Sequence, residues 1–87
     1  MSNASTEDAR IRFLRSELDR IVTLILLASE HRGRKESKEA GEALGRARQA
    51  IENARVFVRM LRPSEAIESE LTLQLSELQA TIESFQQ

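Results

Sequence analysis

The sequence predicts an all-α fold: three long antiparallel helices in an up-down-up bundle, or a helical hairpin whose third helix completes a neighbour's core. Three observations carry that expectation. Apolar residues recur at alternating spacings of three and four, which keeps them on one face of a helix. The stretches between breaks are rich in Ala, Leu, Glu, Gln and Arg, all good helix formers, and no segment alternates with the period of two that a strand needs. Only two places interrupt the pattern, one around Gly33 and one at Pro63.

The first helix is expected to start after Ser5 or Thr6, with Glu7 and Asp8 in its first turn, where the helix dipole favours negative charge. Residues 1–6 are expected to be a disordered segment or a tag remnant, since Ser2-Asn3-Ala4 resembles a cleavage scar, and residues 7–87 to form one helical domain. The apolar stripe of the first helix is Ile11, Leu14, Leu18, Ile21, Ile25 and Ala28. His31 to Ser37 reads as a turn, with His31 at the helix end, where a cation meets the dipole favourably. Ser37 is the expected cap of a second helix carrying Ala40, Leu44, Ala47, Ile51, Ala54, Val58 and Leu61 on one face. Proline biases the preceding residue away from α geometry, so this helix should stop near Arg62. Ser64 is the expected cap of a third helix with the stripe Ile67, Leu71, Leu75, Leu78, Ile82 and Phe85. Each helix is expected to run roughly 22 to 27 residues, about 35 to 40 Å.

Two departures from simple amphipathicity mark candidate surfaces. Ile21 to Ala28 is apolar on every side apart from Thr23, and a helix of that kind must be covered on every side. The excess face, assigned to Val22, Leu24 and Leu26, is the expected oligomer interface; the alternative is that this helix is simply central in a compact monomer. The second helix concentrates small residues, with Gly41 and Gly45 four apart among Ala40, Ala43, Ala47, Ala50 and Ala54. Bare backbone of this kind allows close helix–helix approach, and Gly41 and Gly45 join the expected interface; access of a ligand beside Arg48 is the alternative. Self-association also suits the size of the chain, because at 87 residues and without cysteine it has a marginal core and no disulfide to support it.

With 13 basic and 14 acidic residues the net charge is −1, but it is unevenly distributed. Residues 33–62 carry eight cations against four glutamates, and residues 63–87 carry five glutamates and no cation. Helix 3 packing beside helix 2, with charged flanks setting orientation, accounts for this simply. The turn cations Arg32, Arg34, Lys35 and Lys38 are a second account: an anion site at a helix N-terminus. Duplex nucleic acid is not an expected partner, because Glu36, Glu39 and Glu42 interrupt the basic run. Tyr and Trp, common stacking residues for single strands, are absent.

One histidine and no cysteine leave little for nucleophilic or zinc chemistry, and no phosphate loop or di-iron motif is present. No enzyme activity, catalytic residue, metal or cofactor is therefore expected. The longest apolar run is far shorter than the roughly 20 residues of a membrane span, and no signal peptide is visible, so a cytoplasmic location is expected.

Ser37-Lys38-Glu39-Ala40, followed by Ala43-Leu44 and Ala50, resembles the start of the second helix in small phage helical-hairpin proteins, the anti-CBASS sponges and a related Thoeris inhibitor. The resemblance spans about residues 13–61. It implies a homo-oligomer, often a hexamer, that sequesters cyclic oligonucleotide signals in pockets between protomers. Ser37 and Lys38 are the positions it carries over as ligand contacts, and Arg34 and Arg48 join them on charge alone. The chain departs from the family in lacking an aromatic placed to stack a base and in continuing into a third helix.

The leading expectation is thus a non-enzymatic homo-oligomeric interaction module that can also take a helical protein partner. Sequestration of a cyclic oligonucleotide at the basic turn is the alternative.

Overall fold

Where apolar residues recur every three or four positions and nothing breaks the backbone, the chain winds into helix, and the computed structural model contains three. It describes residues 3–85, with side chains from Glu7 to Phe85. The helices are α1 (Asn3–Gly33), α2 (Ser37–Leu61) and α3 (Glu65–Ser84), with no strand among the described residues. Cross-helix contacts give the topology. Arg10 reaches Leu61 and His31 reaches Glu36, so α1 and α2 are antiparallel. Arg15 meets Glu70 and Arg32 meets Phe85, so α1 and α3 run in the same direction. The up-down-up bundle expected from the sequence is the one observed, drawn out to 52 × 20 × 15 Å.

The core follows the expected stripes. Leu14, Leu18, Ile21, Ile25 and Ala28 of α1 are buried, as are Leu44, Ile51 and Val58 of α2 and Leu71, Leu75 and Ile82 of α3. Five alanines on α2 (Ala40, Ala43, Ala47, Ala50 and Ala54) are buried too. Their small side chains let α1 and α2 lie close along most of their length, whereas α3 packs mainly on α2 and more sparingly on α1.

The element ends correct several expectations. α1 is 31 residues long and begins at Asn3, upstream of Ser5 and Thr6, so Glu7 and Asp8 are not in its first turn. Met1 and Ser2, the start of the expected N-terminal segment, lie outside the described residues. Gly33 is not in the turn but closes α1, and the left-handed residue is Lys35, at φ 64°. The Lys35 N–H donates to the Arg32 carbonyl (3.0 Å) and the Glu36 N–H to the His31 carbonyl (2.8 Å). This is a Schellman arrangement with lysine in the place glycine usually takes. Ser37 is the first residue of α2 rather than its cap, and Glu36 holds the N-cap position. Ser64 is the N-cap of α3 as expected, with no hydrogen bond from its side chain. α2 stops before Pro63 as expected, with Arg62 left-handed (φ 47°) and its N–H on the Val58 carbonyl.

Gly41 and Gly45 do not mediate close approach of helices within the chain. Both are exposed on the outer side of α2, and a methyl group added at either meets nothing within 4 Å. The alanines, not the glycines, make the α1–α2 contact. Replacing either glycine with alanine is therefore expected to stabilise the chain by about 0.5–1 kcal/mol, through the lost backbone freedom of the unfolded state. Denaturant midpoints of Gly41→Ala and Gly45→Ala measure this; an unchanged or lower midpoint would contradict the open, solvent-facing placement.

Candidate interaction surface

The all-apolar stretch of α1 is only partly covered. Its core face, Ile21, Ile25 and Ala28, is sealed by α2 and α3, leaving two flanks. Val22 and Leu26, one turn apart, share the flank toward α3 and remain 41% and 59% exposed. Leu24 is about 200° around the helix from Val22, half-buried against the core, so it does not belong to the exposed face expected of it. Leu27, which the stripe reading did not single out, is exposed on the outer side.

Val22 opens onto a groove of about 390 Å³ between α1 and α3, lined by Arg15, Leu18, Asp19, Val22, Gln74, Glu77 and Leu78. The groove exists because α3 leans on α2. It has an apolar floor (Leu18, Val22 and Leu78) and carboxylates at Asp19 and Glu77. Arg15 is engaged by Glu70, Nη2 to Oε2 at 3.3 Å. Two smaller grooves lie elsewhere: one of about 130 Å³ between α1 and α2 beside Glu17, Arg20 and Arg46, and one of about 170 Å³ between α2 and α3 beside Arg55, Arg59 and Glu68.

The five residues expected at an oligomer interface are thus divided. Val22 and Leu26 form one exposed strip, Leu24 is in the fringe of the core, and Gly41 and Gly45 lie on the far side of α2.

The expected anion-binding residues are also separated. Arg34, Ser37 and Lys38 are exposed at the turn, while Arg48 is half-buried ten residues beyond Lys38, about 15 Å along the helix axis. Arg48 precedes Arg55 by two turns and so shares the flank of α2 that meets α3; its Nη2 is enclosed and has no hydrogen-bond partner among the described residues. None of the three grooves is lined by Arg34, Ser37, Lys38 or Arg48. At the start of α2 the N-cap residue is itself anionic. The His31 Nδ1–H donates to the Glu36 carboxylate at 2.8 Å, and that carboxylate makes no capping hydrogen bond to the start of α2. His31 thereby ties the end of α1 to the start of α2.

The charge asymmetry between α2 and α3 does not resolve into direct pairs. Among the described residues no Lys or Arg of α2 comes within 4 Å of an α3 carboxylate; the inter-helix pair that α3 makes is with Arg15 of α1. Among the described residues no group of three or more His, Asp or Glu is placed to hold a metal ion, and no helix is long and apolar enough to cross a membrane.

Two further exposed apolar residues, Val56 and Met60, lie on the outer side of α2. The signal for them was present in the sequence: each is off the Ala54–Val58–Leu61 stripe, so a strict face assignment points them outward. The chain matches no protein-family model, and no characterised protein or solved structure shows significant similarity to it.

The different surroundings of Leu24 and Leu26 are open to a direct check. Under dilute, monomeric conditions Leu24→Ser is expected to cost about 1–2 kcal/mol of unfolding free energy and Leu26→Ser about 0.5 kcal/mol or less. Equal losses in urea titrations would contradict the assignment of Leu24 to the core fringe and Leu26 to the surface.

Proposed function

We propose that this chain is a non-enzymatic, homo-oligomeric helical interaction module that associates through the α1 flank bearing Val22 and Leu26. The observation carrying this reading is the incomplete cover of that flank. Two aliphatic side chains one turn apart stay exposed in the most apolar segment of the protein, beside a groove with an apolar floor. Isolated exposed leucines need no explanation, but a continuous apolar strip opening onto a groove is the kind of surface that marks protein contacts. A second chain laid on it would bury the strip at little conformational cost, because the side chains stand on a rigid helix.

Leu26 is the sharper probe. It is more than half exposed in the single chain, so a charge there is tolerated by the fold and opposed only at an interface. Light scattering during size exclusion is expected to give the wild type a mass of at least twice the 9.9 kDa chain, and Leu26→Glu the mass of one helical chain. A monomeric wild type, or a Leu26→Glu variant with undiminished mass, would overturn the reading.

A further inference from the structure

The groove between α1 and α3 and the outer face of α2 lie on opposite sides of the molecule. The groove between α1 and α3 has Leu18, Val22 and Leu78 on its floor and the carboxylates of Asp19 and Glu77 beside them; the one cation of its lining, Arg15, is held by Glu70 at 3.3 Å. Among the described residues neither carboxylate has a cation within 4 Å. On α2, Val56 and Met60 are one turn apart and 42% and 69% exposed, forming an aliphatic ridge. Arg59 sits beside Met60, exposed and, among the described residues, without a carboxylate within 4 Å; Glu68 lines the same α2/α3 groove beyond ion-pair reach. The neighbouring Arg55 is held by Glu52 at 3.2 Å.

A ridge of side chains four residues apart is the shape that fits a groove between helices. We infer that a second copy of this chain seats its Val56–Met60 ridge in the α1/α3 groove, with Arg59 meeting the Asp19 and Glu77 side. This rests on the self-association proposed above and specifies its geometry. In a three-helix bundle the groove between α1 and α3 faces away from the outer side of α2, so each copy offers a groove on one side and a ridge on the other. The contact is heterologous, and repeated it closes a ring or extends a fibre.

Half-blocked variants test this geometry. Met60→Glu blocks the ridge and leaves the groove; Val22→Glu blocks the groove and leaves the ridge. Val56→Asp and Glu77→Arg serve as second variants of each kind, and circular dichroism establishes which pair is folded. In sedimentation velocity each folded variant alone is expected at 9.9 kDa, and an equimolar mixture as a discrete two-chain species, since one intact groove and one intact ridge remain. Arg59→Glu is expected to weaken wild-type association roughly tenfold or more. A folded ridge variant that associates like the wild type, or a mixture that stays monomeric, overturns the head-to-tail geometry. If Leu26→Glu disrupts assembly while Met60→Glu does not, that geometry alone fails; a monomeric wild type removes the self-association reading with it.

Discussion

The close approach of α1 and α2 along a face of five alanines governs how the rest of the molecule is arranged. Small side chains on α2 draw its backbone toward the large aliphatic side chains of α1, so Ile21 and Ile51 are fully enclosed. A tight hairpin results, and α3 packs against that pair. Being 20 residues long against 31 for α1, it cannot follow the longest helix to both ends. It lies mainly on α2, and the gap on its other side is the groove beside Val22.

Polar contacts at the helix ends hold this register. Near the start of α1, Arg10 donates to the Leu61 carbonyl at 3.1 Å, satisfying one of the acceptors left open where α2 ends. At the other end, Glu36 returns to His31 twice, through its backbone N–H and through its carboxylate. Arg32 lies over the Phe85 ring, 5.4 Å from its centroid, fastening the end of α3 to the end of α1. Phe13 and Phe57 meet edge to face at 5.1 Å on the α1–α2 side. The exposed ion pairs contribute little individually; their effect is to fix which helix residues stand side by side.

The stripes of Leu14–Ala28, Ala40–Val58 and Leu71–Ile82 were legible in the sequence because alternating spacings of three and four define one direction on a helix. What they do not define is the order of neighbours around that direction. Within Ile21–Ala28 nearly every position is apolar, so separating Leu24 from Val22 and Leu26 requires knowing on which flank α3 lies. Gly41 and Gly45 were more tractable: each directly follows a core residue, Ala40 or Leu44, and so turns about 100° away from the core. The left-handed Lys35 was not legible, since glycine two residues earlier is the conventional marker of such a site. The dispersal of Arg34, Lys38 and Arg48 likewise follows from helix geometry, which separates charges that a linear reading groups together.

The same packing leaves a small bundle with Val22 and Leu26 of α1 uncovered, and the association proposed above would cover them. A chain stabilised by binding another copy of itself gains stability by mass action. The thermal midpoint measured from about 1 to about 100 µM chain tests this most directly. The account predicts that the midpoint rises with concentration in the wild type. A midpoint independent of concentration across that range would contradict it.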